Sequence, residues 1–232
     1  RTRSDSDPAG VRRMVQLMPI PFLSVSVTLL IRARLKLSDR QIYFFKPIST
    51  LLVILVALLS FTTPGLQPAY SIWIEVGLVL SLGGDVALMF KSSRAFVTGL
   101  VLFLLAHIMY AVAFTVPNGF HAQDLFVGLV LLAVAVAVYL YLKPGLGSMK
   151  GPVILYILVI CIMVSRAVST FFGDAFTTAQ AWLITLGAIL FWFSDLVLAV
   201  NRFRYPFRLE ALGLYLYYGG QLLIALSPSF FS

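Results

Sequence analysis

The chain has 232 residues, of which 60% are hydrophobic and only 11% are charged, and its net charge is +8. Soluble domains carry about 25% charged residues, so this composition excludes an ordinary soluble domain. Most Lys and Arg residues stand in short connections between apolar runs, without the exposed aromatic residues that nucleic-acid-binding surfaces interleave with them. We therefore predict a multi-pass membrane protein that binds no nucleic acid.

Eight apolar runs follow one another along the chain, each long enough to cross a bilayer as a helix. The predicted spans are roughly 14–31, 42–61, 70–90, 95–115, 124–142, 152–172, 179–200 and 208–227. The first is the weakest, because it is short and contains Pro19 and Pro21. The predicted fold is an all-α polytopic bundle that forms one domain over 14–232, after a mobile polar tail over 1–13.

The connections alternate in charge. Lys and Arg occur in the odd-numbered connections, whereas the even-numbered ones and the C-terminal tail contain none. The positive-inside rule predicts that the basic loops face the cytosol, across a bacterial inner membrane or the endoplasmic reticulum of a eukaryote. The N-terminal tail disagrees, since it holds four Arg residues and eight crossings would place it outside. Either the other loops outweigh it or the first span does not cross fully.

Metal and disulfide chemistry find little support in the sequence. Cys161 is the only cysteine and lies in an apolar run, which excludes an intrachain disulfide and a cysteine-based zinc site. No HExxH motif or cluster of His residues occurs. A metal held by Asp and His side chains is an alternative, but we expect no required metal and no cofactor.

Two carboxylates lie inside the predicted spans, where a charge costs at least about 2.5–3.5 kcal/mol near the bilayer centre. Asp85 and Asp195 each stand about five residues before the basic-loop end of spans three and seven. Both spans run in the same direction, so both carboxylates are expected roughly 7–8 Å inside one face. Lys46 enters span two at a similar depth. Together they predict a wet pocket that opens toward the cytosolic side.

Further polar residues inside the spans share helix faces with small or aromatic residues. On span four, His107 and Tyr110 lie on one face with Gly99, and on span eight Tyr218 adjoins Gln221. Each has an ordinary structural interpretation, because His can bond two helices and Tyr often anchors a helix at an interface. Arg166, in span six, is either structural or a headgroup contact.

A weak internal repeat is one interpretation of the chain. Gly83-Gly84-Asp85, a basic loop and Gly99-x7-His107 resemble Ser194-Asp195, a basic loop and Gly213-x7-Gln221, about 110 residues later. A repeat would give two four-helix halves of parallel orientation, with a site where they meet. Chance similarity between apolar helices is the alternative.

Paired carboxylates in a partly apolar cavity are typical of hydrolases. One carboxyl group can donate a proton while the other activates water, because the two need not titrate alike. Three alternatives use the same residue types: structural partners for Lys46 or Arg166, the proton relay of a lipid or proton-coupled transporter, and an aspartyl intramembrane protease. The protease is disfavoured, because the sequence lacks the Tyr-Asp and Gly-x-Gly-Asp motifs of that class.

An ordered set of short motifs extends from residue 46 onward. The motifs are Lys46-Pro47, Gly84-Asp85 with Leu88-Met89, Phe96-x2-Gly99-x3-Phe103-x3-His107-x2-Tyr110, Gly187-Ala188-x2-Phe191-x2-Ser194-Asp195, Asn201-x-Phe203, and Tyr218-x2-Gln221 with Leu222. Each motif is weak alone, but the set resembles the YhhN-like lysoplasmalogenases.

This resemblance implies an enzyme that hydrolyses the vinyl ether bond of lysoplasmalogens. The expected products are a fatty aldehyde and glycerophosphoethanolamine or glycerophosphocholine, formed from a lysophospholipid of the bilayer and water. Asp85 and Asp195 would form the acid/base pair. The expected supporting or headgroup-binding residues are Lys46, His107, Tyr110, Asn201, Tyr218 and Gln221. The division of roles between the two Asp residues, the natural headgroup and the oligomeric state stay open.

Overall fold

Helices begin and end where apolar runs give way to polar, Gly- or Pro-containing connections. The computed structural model describes residues 15–62, 65–205 and 210–230, so the predicted polar tail lies outside the described residues. The long helices are α1 (Pro19–Leu35), α2 (Asp39–Ser60), α3 (Pro68–Met89), α4 (Ser93–Thr115), α5 (Gln123–Leu142), α6 (Lys150–Ser169), α7 (Thr178–Phe203) and α8 (Glu210–Leu226). Short 3-10 turns lie over Lys143–Gly145, Gly147–Met149 and Ser227–Phe230, and no strand occurs in the described part of the chain.

Each predicted span corresponds to one of these helices. In the described part of the chain, seven helices, α1 to α7, are long and apolar enough to cross a membrane. α8 has 17 residues and is extended by the turn Ser227–Phe230. Pro19 occupies the first position of α1, where its missing N–H costs no hydrogen bond. The all-α polytopic bundle is confirmed, and the chain is an integral membrane protein.

The helices α1–α4 and α5–α8 form two halves whose helix contacts match. α3 packs on α4 and α7 packs on α8, and these are the two most extensive helix contacts. Across the halves, α4 packs on α6 and α8 packs on α2. The second helix of each half therefore contacts the fourth helix of the other half. This is the arrangement that the interpretation as a repeat implies.

The buried apolar core divides into a main cluster and a smaller one. The main cluster is formed by buried side chains of every long helix except α5. The smaller cluster joins α5 to α6, and Cys161 is buried within it as a free thiol. Large apolar side chains of α5, including Leu125, Phe126 and Leu129, are exposed on the outer surface. α5 therefore presents an apolar flank of the bundle to the lipid.

The end of the bundle far from the basic loops is closed by Arg166 of α6. Its guanidinium lies 2.6 Å from Asp124 Oδ2, donates to Thr115 Oγ1 at 2.9 Å and donates to the Gly119 carbonyl oxygen. It also stacks over the Phe120 ring, at 4.5 Å from the ring centroid. Of the two roles left open for Arg166, these contacts support the structural one.

Candidate active site

A cavity of about 440 Å³ lies at the end of the bundle that carries the basic loops. It is bounded by α1 to α4, α7 and α8, so both halves contribute walls. Four of the eight predicted site residues line it: Lys46, Asp85, Asp195 and Asn201. The two carboxylates expected at matching depth on α3 and α7 therefore face one common space.

Asp85 sits at the floor of this cavity with only 2% of its side chain exposed. The Lys46 ammonium nitrogen lies 3.1 Å from its Oδ1 atom. The Thr50 hydroxyl donates to Oδ2 at 2.6 Å, and the Tyr217 hydroxyl donates to the same oxygen at 2.7 Å. Three donors, one of them cationic, therefore surround this carboxyl group.

Close helix packing holds Asp85 in place. Gly84 precedes it on α3, and a Cβ atom at Gly84 would lie 2.7 Å from the Phe103 ring of α4. Any larger side chain at Gly84 would therefore separate the two helices. Thr50 stands four residues after Lys46 on α2, so both donors project from one helix face toward Asp85.

Asp195 has a different environment, with 13% of its side chain exposed. The Tyr156 hydroxyl donates to its Oδ2 atom at 2.5 Å. His107 Nε2 lies 3.7 Å from the same oxygen, beyond hydrogen-bond distance, and neither ring nitrogen of His107 has a hydrogen-bond partner among the described residues. The His107 ring packs edge-on against Phe191, with centroids 4.7 Å apart. No Lys or Arg side chain forms an ion pair with Asp195 in the described ranges.

Three predicted site residues form a buried layer behind the cavity instead of lining it. The Tyr110 hydroxyl donates to Gln221 Oε1 at 2.8 Å, and Gln221 Nε2 donates to the Tyr217 oxygen at 3.2 Å. The Tyr218 hydroxyl donates to the Lys46 carbonyl oxygen at 3.0 Å. These hydrogen bonds hold Tyr217 and the backbone at Lys46 in place.

The mouth of the cavity is lined by charged side chains from three helix ends and a loop: Arg34, Asp39, Lys91 and Arg202. Lys91 is paired with Asp39 at 2.8 Å, and this hydrogen bond raises the pKa of the Lys91 ammonium above its ordinary value. The Arg202 guanidinium stacks over the Phe96 ring at 4.7 Å. Asn201 lies beside Arg202 in the cavity wall. The mouth has an excess of positive charge, which suits an anionic group.

A second, smaller space of about 60 Å³ opens beside Asp195. Its walls are apolar side chains of α3 to α7, together with Tyr156 and Asp195. It shares five residues with the larger cavity: Leu88, Phe96, Phe103, Asp195 and Leu198. We name it the apolar crevice. Asp195 therefore stands at the boundary between a cavity with both polar and apolar walls and an almost wholly apolar crevice. Asp85 lines only the larger cavity.

Sequence reasoning missed three side chains that bond directly to the carboxylates: Thr50, Tyr156 and Tyr217. Tyr217 had a signal, because it lies four residues before Gln221 on the same face of α8. For Tyr156 the sequence offered no comparable signal, because it lies in an apolar run without a neighbouring motif. No cluster of three or more His, Cys, Asp or Glu residues that could hold a metal occurs among the described residues.

Comparisons with known proteins identify the family of this chain. The family model described as the YhhN family matches residues 41–228. A protein named "Lysoplasmalogenase TMEM86A" from Bos taurus is 35% identical over 158 residues, which cover 66% of this chain and 64% of that protein. The Homo sapiens protein of the same name is 37% identical over 161 residues, with the same two shares.

A "Lysoplasmalogenase homolog" from Dictyostelium discoideum is 28% identical over 207 residues, covering 72% of this chain and 66% of that protein. The alignments with the two TMEM86A proteins thus span 64% of their length. No solved structure matches the chain. The family match covers most of the chain, including both carboxylates and all their bonded partners. By this match, the chain belongs to the YhhN family.

Proposed function

We propose that this protein is a lysoplasmalogenase, which hydrolyses the vinyl ether bond of a lysoplasmalogen. The products are a fatty aldehyde and a glycerophosphoethanolamine or glycerophosphocholine. The substrate is a single-chain lysophospholipid taken from the bilayer, and water is the second reactant. Relatives that share 35% and 37% of aligned residues carry the name lysoplasmalogenase, which supports the proposal.

The observation that carries the proposal is the junction of two unlike spaces at a carboxyl group. A lysoplasmalogen is polar at its headgroup and glycerol, apolar along its chain, and changes character at the vinyl ether bond. The larger cavity with its basic mouth suits the headgroup, and the apolar crevice suits the first carbons of the chain. A lipid bound in this way has its vinyl ether beside Asp195, within a cavity that Asp85 also lines.

The pair of carboxyl groups has the chemistry that the bond requires. A vinyl ether is cleaved when the carbon-carbon double bond takes up a proton, which leaves a positively charged oxocarbenium centre next to oxygen. Water adds to that centre and gives up a proton, and the hemiacetal so formed collapses to an aldehyde and an alcohol. One carboxylic acid and one carboxylate provide the donor, the acceptor and a negative charge near the cation.

The membrane setting follows the charge of the loops. The cavity opens at the end where Arg34, Lys91 and Arg202 line its mouth. By the positive-inside rule this end faces the cytosol, so water enters from there and the lipid enters from the adjoining leaflet. The membrane is the inner membrane of a bacterium or the endoplasmic reticulum of a eukaryote.

Turnover of a defined lipid tests the proposal. Purified protein in detergent is supplied with alkenyl-lysophosphatidylethanolamine, and aldehyde release is measured. We expect Asp85→Asn and Asp195→Asn each to lower the rate by about 10²–10⁴-fold, the usual contribution of a general acid or base. Asp174→Asn is the matched control, because Asp174 is exposed in the loop between α6 and α7 and should leave the rate unchanged.

Two results would contradict the proposal. Absence of aldehyde release by the wild-type protein from any alkenyl-lysophospholipid would exclude the activity. Wild-type rates in both Asp variants would exclude the carboxylate pair. Movement of the lipid across proteoliposomes without aldehyde formation would favour a transporter.

A further inference from the structure

The two carboxylates occupy equivalent positions of the two halves of the bundle. Asp85 and Asp195 are 110 positions apart, on the third helix of each half. The helix contacts keep the same register. Gly77 of α3 packs so closely on α4 that a Cβ atom there would overlap the Tyr110 ring. Gly187 of α7 lies 110 positions later, and a Cβ atom there would be 3.0 Å from the Gly220 carbonyl oxygen of α8. Position 220 is itself 110 positions after Tyr110.

The side chains that flank each carboxylate follow the same offset. Lys46 contacts Asp85 from α2, and Tyr156, 110 positions later, contacts Asp195 from α6. His107 approaches Asp195 from α4, and Tyr217, again 110 positions later, bonds to Asp85 from α8. Each carboxylate thus lies between the second helix of its own half and the fourth helix of the other. This geometry pairs His107 with Tyr217, where the motif comparison paired it with Gln221.

The side chains at equivalent positions differ in the charge and the hydrogen bonds that they offer to the two carboxyl groups. The second helix supplies a cation to Asp85 through Lys46, but a neutral phenol to Asp195 through Tyr156. The fourth helices supply a hydroxyl donor to Asp85 through Tyr217, but to Asp195 only an imidazole beyond hydrogen-bond distance. A negative charge on Asp85 therefore meets a cation and two hydroxyl donors, whereas one on Asp195 meets a single neutral donor. Cations and donors stabilise a charged carboxylate, so the two pockets stabilise it to different degrees.

We propose that this difference between Lys46 and Tyr156 assigns the two catalytic roles. Asp195 is the proton donor, and Asp85 is the base, ionised at the start of each turnover. The proposal rests on the lysoplasmalogenase function stated above and deepens it. Lys46 and Tyr156 act through the carboxylates, so they are positioning residues. The contact of Asp195 with the apolar crevice supports the same assignment, because the carbon to be protonated belongs to the chain.

The steps balance over one turnover. The Asp195 carboxyl gives its proton to the alkenyl carbon, whose π electron pair forms the new C–H bond. A water molecule bonds to the oxocarbenium carbon and passes its proton to the Asp85 carboxylate. The hemiacetal hydroxyl then returns a proton to Asp195 as the carbonyl forms. The C–O bond to glycerol breaks, and its oxygen takes the proton held by Asp85, so both groups return to their starting forms.

Infrared spectroscopy of the substrate-free protein tests this assignment directly, because a protonated carboxyl group has its own C=O stretching band. We expect such a band at neutral pH in wild type and in Asp85→Asn, and its loss in Asp195→Asn. Glu75 also has a buried carboxyl oxygen with no hydrogen-bond partner in the described residues, so Glu75→Gln identifies its contribution. Among the described residues, the other titratable groups facing the pair include Lys46, His107, Tyr156, Tyr217 and Tyr218.

A second variant pair tests the role of Lys46. Lys46→Met should add a second carboxyl band, which Asp85→Asn then removes, and should lower aldehyde release by about 10²-fold or more. Lys46→Arg keeps the charge and should restore a single band and much of the rate. Loss of the wild-type band in Asp85→Asn, or its survival in both Asp variants, would overturn the assignment. The infrared bands are recorded without substrate, so they test the protonation of the two carboxyl groups even if the protein releases no aldehyde. A failure of this assignment can therefore be distinguished from a failure of the lysoplasmalogenase proposal.

Discussion

Among the described residues, two ion pairs lie inside the helices of this bundle, one near each end, and only one of them borders a cavity. Arg166 and Asp124, at the closed end, are 2.6 Å apart. Lys46 and Asp85, at the open end, are 3.1 Å apart and line a cavity of about 440 Å³. Both pairs consist of a basic residue and an Asp within predicted spans, so composition and position alone do not separate them.

What separates the two pairs is the space around them. The guanidinium of Arg166 bonds to the side chains of Asp124 and Thr115 and to the Gly119 carbonyl, and it is covered by the Phe120 ring. Such a pair locks a loop to a helix. The Lys46–Asp85 pair instead borders open volume that a reactant can enter. An intramembrane charge is thus a functional candidate when it lines a cavity, and a structural one when other protein atoms enclose it.

The largest effect that would sharpen this comparison is the loss of Arg166. Arg166→Met leaves the Asp124 carboxylate buried without its cation, which costs about 3–5 kcal/mol of folding stability. Thermal unfolding in detergent measures this loss. The KM of the molecules that stay folded should not change, because Arg166 is remote from the cavity. Arg204→Met is the control, since Arg204 is exposed over the Tyr141 ring and should matter by about 0–1 kcal/mol.

Removal of both partners should be milder than removal of one. Arg166→Met combined with Asp124→Leu leaves no unpaired charge and should recover part of the lost stability. Wild-type stability together with an altered KM in Arg166→Met would contradict the structural role of Arg166. Such a result would make Arg166 part of the substrate site.

A smaller effect is expected at Gly173, in the loop that covers the closed end. A Cβ atom there would lie 2.5 Å from Asn118 Oδ1 and 2.9 Å from His121 Nε2. Gly173→Ala should therefore cost about 1–3 kcal/mol of stability through overpacking, without changing aldehyde release per folded molecule. Gly128→Ala is the matched control, since nothing lies near its Cβ position on α5 and Ala should stabilise that helix by about 0.5–1 kcal/mol. Equal unfolding temperatures for the two variants would contradict this account.

Much of the architecture was predictable, because a bilayer limits what a chain can do. Backbone groups must be satisfied within each span, so an apolar run of about 20 residues becomes a helix. Loop charges then give the direction of each span, and the direction predicts the depth of Asp85 and Asp195. That these two carboxylates and Lys46 line one cavity follows from depth together with the packing of α2, α3 and α7.

The immediate partners of the carboxylates were not predictable in the same way. Tyr and Thr are common inside spans, where Thr50 can bond to its own helix and Tyr can anchor an interface. Their roles depend on which helix lies opposite and at what rotation. The offset of 110 positions would have identified Tyr156 as the counterpart of Lys46. Motif similarity instead aligned His107 with Gln221, because side-chain type varies more than register between the two halves.

The smallest expected effect is a change in KM at the basic mouth of the cavity. It tests whether this end of the bundle binds the lipid headgroup. Arg202 and Arg204 are both exposed near the end of α7, and both stack on an aromatic ring, but only Arg202 of the two lines the cavity. Arg202→Gln should raise the KM for an alkenyl-lysophospholipid by about 2–5-fold, the value of one partly screened contact to phosphate. Arg204→Gln should leave the KM unchanged.

A substrate without phosphate separates headgroup binding from a general effect on the site. Alkenyl-glycerol offers the same vinyl ether and chain, so Arg202→Gln and wild type should hydrolyse it with equal KM. The difference between the two proteins on the phosphate-bearing lipid should also shrink as salt is raised, because screening weakens exposed charge contacts. If Arg204→Gln raised the KM as much as Arg202→Gln did, the effect would belong to the charge of the membrane face and not to the cavity.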